Sequence, residues 1–365
     1  MFSQVYPVPW TFTPGTYTRS ATTVTAIVTE EIFVCPYLHT TYSTTWSTNV
    51  VTVTATGIPP GTTPTGTWAP PAPSPIVPVQ YAESSSVAPP APSSWPSGGF
   101  PTNGNKWAFT YTPYTSSGQC KTADEVMADI AIIAGKGFLA VRLYATDCSG
   151  LQNVGVACKA NNVKMIIGVF IESSGIEGAQ AQVTEIAEWG KSGMWEIVIL
   201  AVIGNEAIFN NYCTAGQLAD FIASTKSIWQ QSGYTGPCTT TEPLSILQEV
   251  AGSLCGVIDV VAANIETFFT STVVAEEAGT FVVEQLELVG QCCPGLEAYN
   301  LESGWPSSGQ ANGQAVPGTQ QQQVALLDIL EKAGNRTCFF SFANDHWKDA
   351  GQFDVEQSFG CIDVF

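Results

Sequence analysis

The chain has 365 residues, more than one average domain, and its 45% content of hydrophobic residues is enough to form a large core. Its formal net charge is −19, from 12 basic and 31 acidic residues, and no cluster of Lys or Arg interrupts this excess. A polyanion such as nucleic acid would therefore be repelled, and no apolar run approaches the length of a membrane helix. The composition favours a neutral ligand.

The first 100 residues differ in composition from the rest of the chain. Residues 1–56 form a Thr-rich extension, and within it residues 13–56 alternate Thr or Ser with apolar residues. This period of two predicts strands, but the long polar tracts favour disorder equally. Residues 57–100 are mostly Pro, Ser, Thr, Ala and Gly with almost no charge, which is typical of an extended, O-glycosylated linker. We expect a separate globular domain over 101–365.

A different rhythm begins at Trp107, where apolar, β-branched runs alternate with helical patterns. The predicted strands span 107–112, 138–144, 163–171, 196–204, 237–241, 257–264, 296–302 and 337–343. The predicted helices span 122–136, 150–161, 178–192, 214–232, 243–253, 273–290 and 319–333. This alternation predicts an α/β fold, a (β/α)8 TIM barrel. A doubly wound open sheet is the alternative, but no Gly-x-Gly-x-x-Gly follows the first strand.

Two glutamates carry the main functional signal. Glu206, in Ile-Gly-Asn-Glu-Ala, follows the fourth predicted strand, and Glu302, in Asn-Leu-Glu-Ser-Gly-Trp-Pro, ends the seventh. In a barrel both would lie on the C-terminal face, where barrel enzymes keep their chemistry. Cleavage of an acetal needs one carboxyl group that donates a proton and one carboxylate that attacks the anomeric carbon or activates water. The pair therefore predicts a glycosidase.

Residues near the two glutamates are compatible with this chemistry. Asn205 is suited to bind a sugar hydroxyl beside the cleavage point, and Arg142 and Tyr144, on the second predicted strand, could favour an ionised carboxylate and orient it. A structural ion pair for Arg142 and a hydrogen bond to buried backbone for Tyr144 are the alternatives. Glu242 also ends a predicted strand and is the first rival to test as a catalyst.

The cysteines bear on the compartment and on metal binding. Ten of the 11 cysteines lie in 101–365, and with the Thr/Ser/Pro-rich extension they indicate a secreted or cell-wall protein with disulfides, whose pairing the sequence leaves open. The first ten residues lack the pattern of a signal peptide. Asn335 begins a possible N-glycosylation triplet. With no Cys-x-x-Cys pair and only two histidines, far apart, we expect no metal and no cofactor.

A series of motifs resembles glycoside hydrolase family 17, especially its fungal cell-wall β-1,3-glucanases. The motifs are Val-Arg-Leu-Tyr-Ala-Thr-Asp-Cys (141–148), Ile-Gly-Asn-Glu-Ala (203–207), Ala-Asn-Ile-Glu-Thr-Phe-Phe (263–269), Glu-Ser-Gly-Trp-Pro-Ser-Ser-Gly (302–309) and Asp-His-Trp-Lys (345–348), in order across 101–365. The resemblance implies a (β/α)8 barrel that cleaves β-1,3-glucan with retention of configuration, and we expect the chain to be a monomer. It makes Glu206 the general acid/base and Glu302 the nucleophile.

The same resemblance implies a substrate cleft. Its residues would be Arg142, Tyr144, Asn205, Asn264, Phe268, Trp305 and Lys348. Phe268 and Trp305 would stack against sugar rings; the alternative is that both are aromatic residues of the hydrophobic core. For Lys348 the alternative is an ordinary surface lysine without a role in binding. The chain departs from the family pattern at Glu266, where a histidine is usual, and at Ser341 and Asn344, where acids are usual. These departures put the sugar contacts in question more than the chemistry.

Three functions are compatible with these residues. A retaining β-1,3-glucan hydrolase of fungal cell-wall remodelling is the leading hypothesis. A β-1,3-glucanosyltransferase would use the same site but pass the sugar to another glucan, and acceptor choice depends on loops that the motifs do not define. A glucan-binding wall protein with low activity is the third, suggested by Ser341, Asn344 and the linker.

Overall fold

The computed structural model describes residues 99–365 and, before them, the backbone of five short strands. In the extension, the strands Gly15–Arg19, Thr22–Ala26 and Val53–Ala55 form an antiparallel sheet, and Trp10–Thr11 pairs with Glu31–Ile32. The predicted linker, apart from its last residues, lies outside the described residues.

Residues 99–365 contain a closed barrel of eight parallel strands. The strands are β1 (Ala108–Tyr111), β2 (Ala140–Leu143), β3 (Lys164–Val169), β4 (Val198–Asn205), β5 (Cys238–Pro243), β6 (Val261–Asn264), β7 (Ala298–Ser303) and β8 (Thr337–Phe339). The helices are α1 (Ala123–Gly135), α2 (Gly150–Asn161), α3 (Gly175–Lys191), α4 (Ala215–Gln231), α5 (Leu244–Leu254), α6 (Ala278–Cys292) and α7 (Thr319–Ala333). The predicted (β/α)8 barrel is confirmed.

The core has two parts, as expected when strands are buried on both faces. Side chains such as Ile166, Leu200 and Leu301 fill the interior of the barrel, and a larger set lies between the strands and the surrounding helices. At the end where the strands begin, the rings of Trp107 and Tyr299 lie 5.0 Å apart, and Phe100 packs on both. This end of the barrel is therefore closed by aromatic side chains, and the opposite end is left for chemistry.

Two helix starts follow from local sequence. Thr122 accepts a hydrogen bond from the backbone N–H of Glu125, whose side chain accepts from Thr122 in return, and Thr214 and Gln217 do the same at α4. Such a capping box satisfies backbone donors that the first helical turn leaves without partners. Both helices begin where the sequence predicted them.

Disulfides link loops and helix ends. Cys120 pairs with Cys148, which joins the loop after β1 to the loop after β2, and Cys255 at the end of α5 pairs with Cys293 after α6. The prediction of disulfides is confirmed. Asn335, of the possible glycosylation triplet, is exposed in the turn before β8. No helix in the described part of the chain has both the length and the apolar character needed to cross a membrane.

Candidate active site

Glu206 is held by the turn that leaves β4. Gly204 has φ +87° and Glu206 itself has φ +52°, a left-handed conformation that is uncommon outside glycine. The backbone N–H of Glu206 donates to the carbonyl of Thr241 at 2.8 Å, which ties this turn to β5. The side chain is only 6% exposed. The Gly-Asn-Glu sequence thus turns the carboxyl group inward at the C-terminal end of the strand.

Glu302 lies on β7, directly beside the end of β6. It is aligned with Asn264 in the parallel register, and its carbonyl accepts the backbone N–H of Ile265 at 3.0 Å. The residue is 9% exposed. Because the carboxyl ends of parallel strands meet at one face of a barrel, both glutamates lie at the same end of the molecule.

Arg142 connects the two halves of the site. Its guanidinium donates to Glu302 Oε1 at 3.0 Å and to Asn205 Oδ1 at 2.7 Å, and a third bond reaches the carbonyl of Leu301 at 2.6 Å. The residue is 1% exposed, so its ion pair with Glu302 is shielded from water. A buried cation is stable only when it is paired and hydrogen-bonded in this way.

Asn264 completes the connection to Glu206. Its amide donates to Glu206 Oε1 at 2.9 Å and to Asn205 Oδ1 at 3.1 Å, while Thr241 Oγ1 donates to the amide oxygen at 2.9 Å. Because Arg142 can only donate, Asn205 presents its amide oxygen, and the amide nitrogen of Asn264 must therefore face Asn205 and the glutamate. A continuous chain of hydrogen bonds therefore runs from Glu302 through Arg142, Asn205 and Asn264 to Glu206.

Tyr144 lies on the other side of Arg142. Its ring centroid is 4.4 Å from the guanidinium carbon, a cation–π contact. Burial, and next the charge of Glu302, raise the pKa of Tyr144 well above its usual range, so the phenol remains neutral. The structure thus brings Arg142, Tyr144, Asn205 and Asn264 together with the glutamates.

A third carboxyl group lies in the same region. Burial, and next the negative charges of Glu302 and Glu206, raise the pKa of Glu266 well above its ordinary value. One of its carboxyl oxygens is buried without a hydrogen-bond partner. Lys348 favours the charged form of Glu266 but also pairs with Asp345 at 3.1 Å. Burial and the two neighbouring glutamates thus favour the neutral form of Glu266, and Lys348 opposes them.

The two aromatic residues predicted as sugar platforms are in the core. Phe268 and Trp305 are both fully buried, with ring centroids 5.5 Å apart in an edge-to-face arrangement. The indole N–H of Trp305 donates to the carbonyl of Val316 at 2.9 Å. Neither ring has a face that a ligand could contact. Both residues therefore belong to the hydrophobic core, which was the alternative to a sugar-binding role.

Ser341 and Asn344, which stand where acidic residues are usual in the family, form hydrogen bonds with nearby backbone. Ser341 Oγ donates to the carbonyl of Ala343 at 2.7 Å, and Asn344 Oδ1 accepts the backbone N–H of Gly360 at 2.7 Å. Asp345 accepts from Thr112 at 3.1 Å and pairs with Lys348. Ser341 and Asn344 therefore stabilise the loop after β8.

Glu242, the suggested rival catalyst, has a different environment. It is fully buried at the end of β5, and its two carboxyl oxygens accept the backbone N–H groups of Ile208 at 2.8 Å and Phe209 at 3.1 Å. Its pKa is raised to about 8, because the effect of burial exceeds the lowering by these N–H bonds. Glu242 thus anchors the turn that carries Glu206. Sequence reasoning placed it at a strand end but could not reveal these contacts.

We expect the substitution Glu242→Gln to lower kcat more than it raises KM. The amide replaces one accepting oxygen by a donor, which leaves a buried backbone N–H without a partner at a cost of about 1–3 kcal/mol. The turn should relax and displace Glu206, and a small misplacement of a catalytic group lowers the rate by about tenfold or more. Steady-state kinetics measure the split between kcat and KM.

The matched control is Glu249→Gln, an exposed glutamate on α5. It makes the same change from acid to amide without touching the turn and should leave both constants unchanged. A folded Glu242→Gln protein with the kcat of the unmodified chain would show that the anchor does not position Glu206.

Residues 99–365 show no grouping of three or more His, Cys, Asp and Glu side chains that could hold a metal ion. The polar groups at the candidate site are carboxyl, amide, guanidinium and phenol. They suit acid–base and nucleophilic chemistry on a neutral substrate.

Comparison with protein families gives a match over residues 108–360, to the BtgE/BtgC glycoside hydrolase domain. The matched region contains the whole barrel and every residue of the site. The chain belongs to the BtgE/BtgC glycoside hydrolase family. Among its relatives is the "Probable beta-glucosidase btgE" of Aspergillus terreus, which is 46% identical over 361 residues. The alignment covers 99% of this chain and 62% of that relative, so the chain spans about three fifths of the relative's length.

Solved structures resemble the fold at low sequence identity. The family 17 β-1,3-glucanosyltransferase from Rhizomucor miehei has a TM-score of 0.60 at 18% identity, covering 72% of this chain and 95% of that one. The endo-laminarinase from Formosa Hel1_33_131 also has a TM-score of 0.60, at 14% identity, covering 71% of this chain and 83% of that one. At these identities the similarity describes the barrel.

Proposed function

We propose that this chain is a retaining glycosidase acting on β-1,3-glucan, with Glu206 as general acid/base and Glu302 as nucleophile. The observation that carries the proposal is the hydrogen-bonded chain that joins two buried glutamates at the C-terminal end of a glycoside hydrolase barrel. Acetal cleavage requires two carboxyl groups, one to donate a proton and one to act as nucleophile or base, and the two glutamates can supply that pair.

The surroundings of the two carboxyl groups support different roles. Glu302 forms an ion pair with the guanidinium of Arg142, which places a cation beside the carboxyl group proposed to attack carbon. Glu206 instead accepts a hydrogen bond from the neutral amide of Asn264. Two carboxyl groups in unlike environments can act as base or nucleophile and as acid in one reaction.

The proposed reaction has two steps. Glu302 forms a bond to the anomeric carbon while the glycosidic C–O bond breaks, and the proton of Glu206 passes to the leaving oxygen. Water then attacks the anomeric carbon, its proton passes to Glu206, and the bond to Glu302 breaks. The enzyme is restored, and the sugar is released with its original configuration.

We propose specificity for the β-1,3 linkage and membership of glycoside hydrolase family 17 on the basis of the motif resemblance. The proposal is supported by the relative named as a probable β-glucosidase and by fold neighbours named for β-1,3-glucan transfer and for laminarin cleavage. We also propose secretion to the fungal cell wall, since the two disulfides suit an oxidising compartment.

The test is to incubate the chain with linear β-1,3, β-1,6 and mixed-linkage glucans and to resolve products by mass and by anomeric NMR signals. We expect cleavage of β-1,3-glucan with the β-anomer formed first. Early α-anomer would contradict retention, and cleavage of the other glucans alone would contradict the linkage. Products longer than the donor would identify a glucanosyltransferase. Glucan binding without any cleavage would identify the low-activity wall protein.

A further inference from the structure

An exposed tryptophan lies on the face of the barrel that carries the glutamates. Trp347, in the loop after β8, is 39% exposed and is the only aromatic among the exposed large apolar side chains of residues 99–365. It is the neighbour of Lys348, whose charge acts on Glu266 in the site. Ligand sites are lined predominantly by apolar and aromatic side chains, so an exposed ring on this face is a candidate for ligand contact.

The indole ring is fixed by contacts on several sides. Its Nε1–H donates to Asp345 Oδ1 at 3.2 Å, and the ring of Tyr114 meets it edge to face with centroids 5.0 Å apart. Gly118 approaches so closely that a Cβ atom there would lie 3.1 Å from Cβ of Trp347. The residue thus has little rotamer freedom to lose when a ligand binds.

Tyr114 is held in turn by the loop that follows β2. Its hydroxyl donates to Asp147, and its backbone bridges to Cys120, which forms a disulfide with Cys148. Loops from β1, β2 and β8 therefore meet at the aromatic pair. If Trp347 and Tyr114 served only to pack the loops, Trp347 would not need to be exposed. A surface that binds a ligand must be both rigid and exposed.

We propose that Trp347, supported by Tyr114, is a sugar-stacking subsite that binds the glucan chain beyond the residues being cleaved. A β-linked glucose carries its hydroxyl groups around the ring edge and presents C–H groups on its faces, which suits an aromatic surface. The net charge of −19 is compatible with such a neutral ligand. This inference rests on the proposed function, because it identifies part of the cleft that serves the same glutamates.

The test compares Trp347→Ala with the unmodified chain on laminari-oligosaccharides of about two to seven glucose units. We expect Trp347→Ala to lower kcat/KM for the longest chains by about tenfold, with a loss that shrinks as the chain is shortened. Trp347→Phe, which keeps a flat ring, should recover most of the loss. Leu327→Ala, an equally exposed truncation on α7, should have no effect at any length.

A binding experiment separates this inference from the proposed function. In the whole chain carrying Glu302→Gln, calorimetric titration with the longest oligosaccharide should show weaker affinity when Trp347→Ala is added. An equal loss at all chain lengths, or no loss in either experiment, would overturn the subsite. Failure of the unmodified chain to cleave any β-glucan would contradict the proposed function, and the titration would still decide the subsite.

Discussion

Substituting Glu302→Gln is expected to lower kcat on laminarin on the order of 10³-fold or more, because the amide cannot attack the anomeric carbon. Glu206→Gln should cause a loss of similar size with laminarin, whose leaving oxygen needs a proton. The amides preserve volume and most hydrogen bonds, so both proteins should fold. Release of reducing ends measures the rates, and circular dichroism verifies folding.

Added azide distinguishes the two roles. With an aryl β-glucoside of laminaribiose, Glu302→Ala should yield the α-glycosyl azide, because azide replaces the nucleophile directly. Glu206→Ala should yield the β-glycosyl azide, because the intermediate on Glu302 still forms. Glu284→Gln, an exposed substitution on α6, is the control and should retain full activity. The opposite pattern of azides would reverse the assigned roles, and full activity in both Gln variants would contradict the site itself.

The second large effect is expected at Arg142. Replacement by methionine, Arg142→Met, removes the cation bound to Glu302 and the donor to Asn205, and it leaves a buried carboxylate without its partner. Breaking a buried pair in this way costs about 3–5 kcal/mol of stability. We expect kcat/KM to fall by about 10²-fold or more, since the hydrogen-bonded chain that orients the site is cut. Urea unfolding and kinetics measure the two effects.

A double substitution tests the physical cause. If an unpaired charge destabilises Arg142→Met, adding Glu302→Gln should recover part of the lost stability, because the buried charge is removed. Lys159→Met, at an exposed ion pair with Glu196, is the control and should change stability by less than about 1 kcal/mol. Equal stability in Arg142→Met and the unmodified chain would show that the ion pair does not hold the site together.

Much of the fold could be predicted from local sequence. Apolar β-branched runs mark the strands, Thr122 and Thr214 begin two helices with capping boxes, and the alternation of strands and helices leaves a closed parallel barrel as the natural arrangement. The location of Glu206 and Glu302 followed as well, because a residue at the end of a barrel strand must lie on the catalytic face.

Side-chain surroundings could not be predicted in the same way. Phe268, Trp305 and Trp347 are all aromatic residues in loops after strands, yet two are fully buried and one is exposed. Glu242 and Glu206 both follow apolar runs, but Glu242 accepts backbone N–H groups beneath the turn. These differences depend on which loops pack above each residue, and residues far apart in the chain supply those loops.

By itself, the sequence determined the order of strands and helices, the barrel and the two glutamates at the C-terminal end of its strands, because each depends on residue types within a few positions of one another. Only the tertiary structure decided the disulfide partners, the hydrogen-bonded chain through Arg142 and Asn264, and the exposure of Trp347. These features join separate strands and loops, and their contacts exist only after the barrel has closed and the loops have packed.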